Sequence, residues 1–147
     1  LEALGRLERN GAVDLLGLVA EEAARVGAVV EGEPVELRGD ARLLRRLVRN
    51  LLENARRHGG GAAVEARVER TGTGARLQVA DWGPGVPETE RERIFEPFYR
   101  PPGAPETGTG HGLGLALVRQ IARAHGGDAR CLAREGGGTV LEVTLGA

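Results

Sequence analysis

The sequence predicts a two-layer α/β sandwich, with a mixed, mostly antiparallel sheet covered on one side by helices. Three observations predict it. Apolar residues recur at helical spacing over residues 14–26, 41–58 and 113–125. Two pairs of alternating segments flank glycine-bearing turns, the mark of hairpins. The two periods interleave along 147 residues with no internal repeat, so one domain with one core is expected.

The elements follow in order. Leu1, Leu4 and Leu7 have helical spacing, so residues 1–12 read as the tail of an upstream helix or linker, and the domain as residues 13–147. Asp14 caps a helix whose apolar face is Leu15, Leu16, Leu18, Val19, Ala23 and Val26. "GAVVEGEPVELRGD" holds two short strands around Gly32 to Pro34. Asp40 caps a long helix that ends near His58, before Gly59 to Gly61. "AVEARVER" and "ARLQVAD" alternate about the turn "TGTG". "WGPGVP" is a loop and "ETERERIF" a short charged helical turn. "EPFYRPPGAPETGTGHG" is aperiodic and proline-rich, and a loop of that length inside a compact domain points to function. An amphipathic helix, "LGLALVRQIARAHGG", and a last hairpin, "DARCLAREGGGTVLEVTLG", complete the chain.

Composition removes several function classes. A net charge of −1 makes no electrostatic case for nucleic acid or for direct membrane contact. No apolar run approaches the roughly 18 residues that span a bilayer, and no signal peptide is visible. Met is absent, which predicts a piece of a longer parent. The single Cys131 fits a reducing compartment, so the reading is cytoplasmic, in a parent open to anchoring in the inner membrane. All 20 basic residues are Arg, so neither a Walker A lysine nor the strand lysine of a Ser/Thr kinase is available. The four aromatics, Trp82, Phe95, Phe98 and Tyr99, fall in one window; the core is aliphatic and the aromatics serve something local.

Three motifs carry chemistry. In "RNLLENARRH", Leu43, Leu44, Leu47, Val48, Leu51, Leu52 and Ala55 form an apolar arc, while Arg42, Arg45, Arg46, Arg49, Glu53 and Arg56 point to solvent. Asn50 and Asn54 lie together at the edge of the arc, beside Arg57 and His58. Neutral amide oxygens there suit a hard cation such as Mg²⁺ shared with phosphates, or simply hydrogen-bond a neighbouring loop. In "DWGPG", Asp81 ends a strand, and Gly83 and Gly85 let backbone approach a flat ligand; the carboxylate suits the exocyclic amine of adenine, in whose place guanine has a carbonyl. An ordinary Asp-led turn is the alternative. "GTGHGLGL" opens a helix with backbone N–H groups suited to an anion, or forms a hinge; its spacing is not that of a dinucleotide fingerprint.

Taken together, "NLLENARRHG", "DWGPGVP", "IFEPFYR", "GHGLGLALV" and "GGTVLEVTL", in this order, resemble the ATP-binding catalytic domain of bacterial sensor histidine kinases. The resemblance covers about Val13 to Gly146. It implies the Bergerat fold of the GHKL superfamily, shared by gyrase, heat-shock chaperone ATPases and mismatch-repair MutL. It implies ATP and Mg²⁺, with Asn54 on the metal and Asn50 supporting it. Arg57, in place of the usual Lys, and His58 would meet phosphate, with Arg100 in support of transfer. Asp81 would hold the adenine amine, with Gly83 and Gly85 beside it and Thr139 near the base. Gly110, His111, Gly112, Leu113, Gly114 and Leu115 would line the phosphates, His111 either donating to them or facing solvent. Phe95, Phe98 and Tyr99 would contact the phosphoacceptor and dimerisation helices, and a response regulator would act downstream.

The family's hydrolytic branches place Glu four residues before the metal Asn. Here Asn50 stands there, which implies transfer to a phosphoacceptor His rather than hydrolysis. No phosphoacceptor motif is present: His58 and His111 lie inside the motifs, and His125 reads as a helix C-terminal residue favoured by the macrodipole. A self-sufficient GHKL ATPase and a nonenzymatic nucleotide-sensing module are the rival readings. The segment from about Arg100 to Gly110 reads as a mobile lid.

Overall fold

The structure is a computed structural model that describes residues 11–59, 61–99 and 114–146. Strand β1 (Gly11–Asp14) leads into α1 (Leu15–Val26), followed by β2 (Val29–Gly32), β3 (Glu36–Gly39) and the long α2 (Ala41–His58). Then come β4 (Glu65–Arg70), β5 (Ala75–Asp81), single 3₁₀ turns at Glu88–Glu90 and Arg93–Phe95, α3 (Gly114–Ala124), β6 (Asp128–Ala133) and β7 (Thr139–Leu145). The main sheet has five strands in the order β2-β4-β5-β7-β6. Only β2 and β4 run parallel; the other pairs are antiparallel. The expected mixed, mostly antiparallel sheet is the one observed.

Both expected caps form. The Asp14 carboxylate accepts from the Gly17 N–H at 3.0 Å and the Asp40 carboxylate from the Leu43 N–H at 3.1 Å. The seven apolar residues read from the α2 sequence are the seven it buries. They pack on the inward residues of the sheet, among them Ala66, Val68, Leu77, Val79, Leu141 and Val143. The outer face is polar. There Glu142 is buried on its own face, and it accepts from Gln78 Nε2 and Arg130 Nε, each at 2.8 Å. Burial opposes its ionisation, but these two donors and nearby Arg76 hold the carboxyl below its usual range.

Two features differ from the sequence reading. The strands around Gly32 to Pro34 do not share a sheet: β2 joins β4, and β3 pairs with β1 in a two-stranded ribbon. Pro34 has no N–H for a ladder, and Gly32 lies so close to β4 that a Cβ there would fall 2.1 Å from the Val68 carbonyl oxygen. Strand β1 itself has no counterpart in that reading. Residues 1–10 lie outside the described residues. His125 also differs. It is buried rather than displayed as a cation at a helix end. Its Nε2 accepts from the Asp40 N–H at 3.0 Å, so Nδ1 carries the proton and donates to the Ile121 carbonyl at 2.8 Å. A neutral imidazole thereby ties the end of α3 to the start of α2.

Between α1 and α2 one acid carries the electrostatics. Glu22 is 3% exposed and accepts from Arg49 Nε and from Arg45 Nη1, each at 2.8 Å. The Arg49 hydrogen bond leads, burial opposes it, Arg45 adds to it, and the carboxyl is held down to about 2. A depressed carboxyl pKa stabilises the fold fully above its ordinary value of 4.5, and that stability drains away as pH falls towards 2. Both guanidinium groups are nearly half exposed, so Glu22→Gln is expected to cost only about 1–2 kcal/mol at pH 7. Urea unfolding at pH 7 and pH 3 checks this: the variant's deficit must shrink at the lower pH.

Candidate nucleotide site

Three segments meet at one end of the sheet. Helix α2 supplies the first. Its apolar arc faces the core, which leaves Asn50 and Asn54 half-buried at the edge and Arg57 and His58 exposed. Asn50 Nδ2 donates to the carbonyl of Gly114, the first residue of α3, at 3.3 Å. That contact joins two of the sequence motifs, and the amide oxygen of Asn50 accepts no hydrogen bond among the described residues. Glu53 takes no part: its Oε1 accepts from Arg56 Nε at 3.0 Å and Nη2 at 2.7 Å on the outer face of the helix.

The second segment is the end of β5. Asp81 is 5% exposed, and its Oδ1 accepts from the Gly83 N–H at 2.8 Å. Among the described residues this is its one hydrogen bond, so Oδ2 is available to a donor. The antiparallel register sets Thr139 of β7 directly opposite Asp81. Close packing explains the glycines here. A Cβ on Gly83 would fall 1.9 Å from the His58 carbonyl oxygen, and one on Gly138 would fall 2.1 Å from that of Asp81. The loop after β5 is thus pressed against the C-terminal end of α2. Gly85 has φ +83, and a Cβ there would make only an ordinary contact, 3.4 Å from the Gly138 carbonyl oxygen.

The third segment is the start of α3, whose first N–H groups have no acceptor within the helix. Gly114 is exposed there, while the Leu115 side chain packs against the core and leaves its backbone as what it offers a ligand. Arg100, Gly110, His111, Gly112 and Leu113 lie outside the described residues, as does the stretch read as a lid.

The aromatics divide. Phe95 is 4% exposed, with the Arg119 guanidinium 4.3 Å from its ring centroid, so it belongs to the core rather than to a partner surface. Arg119 also donates to the Ala129 carbonyl at 2.7 Å and pairs with Glu92 and Asp128, which pins the 3₁₀ segment to α3 and β6. The polar, charged look of "ETERERIF" hid that burial: Glu90 and Arg93 pair within the segment, and Glu92 pairs with Arg119 of α3. Phe98, in contrast, is 71% exposed at φ +63, a left-handed conformation unusual for a bulky residue. Tyr99 is half-buried, with Arg93 5.8 Å from its ring. Sequence reasoning gave Trp82 no role. It stands next to Asp81 with the Arg134 guanidinium 3.2 Å from its ring centroid, and Arg134 pairs in turn with Glu65.

Other chemistry is remote or inert. Burial pushes the Cys131 thiol up to about 11, so it is no nucleophile at neutral pH. A groove of about 570 Å³ between Asp14, Glu36 and the Thr71–Gly74 turn lies at the opposite end of β5. Among the described residues no group of three His, Cys, Asp or Glu could cage a metal, and no helix is long and apolar enough to cross a membrane.

Residues 39–147 match the family described as histidine kinase-, DNA gyrase B-, and HSP90-like ATPase. This chain belongs to that family. The Bergerat fold expected of it is the fold observed. The chain is similar to the structure of the mycobacterial sensor histidine kinase MprB, with 33% identity and a TM-score of 0.83 over 92% of this chain and 97% of that one. It is also similar to the ATP binding domain of PrrB from Mycobacterium tuberculosis, with 32% identity and a TM-score of 0.74 over 95% and 98% of the two chains. The sensor protein CutS of Streptomyces coelicolor is 39% identical over 146 residues, 90% of this chain. The chain spans only 35% of CutS and 28% of the Escherichia coli sensor protein RstB.

The two glycines of "DWGPG" differ in kind. Gly83→Ala drives a Cβ into backbone and is expected to cost about 2–4 kcal/mol. Gly85→Ala meets only the left-handed backbone penalty, about 1–2 kcal/mol. Urea unfolding of both variants checks the order; equal losses would contradict the packing described.

Proposed function

We propose that this chain is the ATP-binding catalytic domain of a two-component sensor histidine kinase, which binds ATP with Mg²⁺ and presents its terminal phosphoryl group to a His on another segment of the parent. One observation carries the reading: the Asn50–Asn54 edge of α2 runs between Asp81 and Thr139 at one end and Gly114 at the other. Asp81 Oδ2 accepts from the adenine amine, and Thr139 borders the base. Gly83 and Gly85 form the wall of the base site. Arg57 and His58 meet phosphate from α2, and the glycine loop through Gly114 and Leu115 meets it with backbone N–H groups.

The residues fit a hard divalent cation. Asn50 donates an amide N–H to Gly114 and keeps an oxygen for the metal, with Asn54 one turn further along the same helix offering a second. Two neutral ligands leave most of the coordination sphere to phosphates and water, the habit of Mg²⁺. When bound, the ion neutralises charge building up on the phosphates during transfer.

Transfer is favoured over hydrolysis because, among the described residues of α2, no carboxylate is placed to activate water. Asn50 occupies the position of the hydrolytic Glu, and Glu53 is engaged by Arg56 on the outer face. An imidazole nitrogen of the acceptor forms the new P–N bond as the bond to the ADP oxygen breaks. The domain's part is positioning and charge stabilisation, with Asn50, Arg57 and Arg100 in support. Phe98 and Tyr99 suit contact with the phosphoacceptor helices, a response regulator receives the phosphoryl group, and the domain works in the cytoplasm whether or not the parent is membrane-anchored.

Calorimetry tests the reading. ATP should bind in the presence of Mg²⁺ and GTP at least about tenfold more weakly, a gap of roughly 1.4 kcal/mol or more. Asp81→Asn should erase that preference and Asn54→Ala the magnesium dependence. Equal affinity of the unaltered chain for both nucleotides sinks the adenine assignment; steady phosphate release by the isolated chain sinks transfer in favour of hydrolysis.

A further inference from the structure

Helix α2 carries six arginines, and the fold uses only three of them. Arg45 is paired with Glu21 and Glu22, Arg49 with Glu22, and Arg56 with Glu53. Arg42, Arg46 and Arg57 are exposed and have no ion-pair or hydrogen-bond partner among the described residues. The acids of α1 thus neutralise the side of α2 that faces them, and the remaining positive charge stays on the other side.

That side is the one with the amides. Arg42, Arg46, Asn50, Asn54 and His58 follow one another at steps of four, which places them on a single ridge. Arg46 stands one step before the amide pair, and Arg57 three residues after its second member. Consecutive members of the ridge are about 6 Å apart along the axis.

The direction of a bound nucleotide along this ridge follows from the ends of the site. The Asp81 end lies at the C-terminal end of α2, where a Cβ on Gly59 would be 3.6 Å from Asp81 Cβ. Asn50, nine residues back and about 13 Å along the axis, reaches α3. A base at Asp81 therefore sends its phosphate tail toward the N-terminal half of α2, and the next side chain on the ridge beyond Asn50 is Arg46.

We propose that Arg46 is a second phosphate-binding cation of this site, placed for the terminal phosphoryl group of a nucleoside triphosphate, whereas Arg57 serves the inner phosphates. The assignment rests on the nucleotide reading above. An uncommitted guanidinium presents a planar fork of donors that matches phosphate oxygens, and it stays charged at every working pH. Arg45 and Arg49 cannot substitute without abandoning buried Glu22.

Magnesium-saturated ATP and ADP distinguish the two cations by calorimetry on this chain. Arg46→Gln should weaken ATP about five- to tenfold, in the range of one ordinary hydrogen bond made by an exposed side chain, and leave ADP within about twofold. Arg57→Gln should weaken both nucleotides, and Arg46→Lys should recover part of the ATP loss. Arg42→Gln, one step further along the ridge, controls for long-range charge and should leave both affinities unchanged. Equal effects of Arg46→Gln on ATP and ADP, or no effect on either, overturn the proposal, as does an ATP-selective loss in Arg42→Gln. ATP binding that responds to Asn54→Ala but not to Arg46→Gln overturns this proposal alone; a chain that binds no ATP overturns this assignment and the nucleotide reading together.

Discussion

The burial of the leucine face of α2 against the sheet is the constraint on which the other distances depend. Seven apolar side chains on one arc, several of them fully buried leucines each contributing about 1.5–3 kcal/mol, leave the helix one rotational setting about its axis. With that rotation set, Asn50 and Asn54 must lie at the rim, and Glu53 must point away. The helix is clamped at both ends as well. His125 holds the N-cap backbone of Asp40, and the His58 carbonyl bears on Gly83. The site is therefore a by-product of core packing in its geometry, with polar groups placed where the core runs out.

Charge is partitioned by the same packing. Arginine alone supplies the positive charge, and a basic helix of this kind would present a uniform field if its residues were all free. Glu22, desolvated between α1 and α2, draws two guanidinium groups to one side, and Glu53 holds a third. Arg119 and Arg134 show the same economy elsewhere. Each lies over an aromatic ring while pairing with an acid, so that a guanidinium covers one face of Phe95 and of Trp82.

Much of the candidate site's geometry on α2 was legible because its residues are adjacent in short motifs and its helix period is unambiguous. The rim position of Asn50 and Asn54 follows from 100° per residue alone. The close approach implied by the glycines of "DWGPG" was legible too, although the partner of Gly83 turned out to be helix backbone rather than a ligand. What stayed hidden depends on residues far apart in sequence. The pairing of β1 with β3, the neutral His125 between two helices, and the inward Phe95 all need partners that no local pattern names.

By itself, the sequence determined the helices, their caps, the hairpins and the ordered motifs that place the chain among these ATPases, because local periodicity and short spacings encode them. Only the tertiary structure decided that Thr139 faces Asp81 across a sheet, that Asn50 meets the start of α3, and that Phe95 turns in while Phe98 turns out. Sheet register and side-chain burial are settled by competition among contacts distant in sequence, and a linear pattern carries no record of which contact wins.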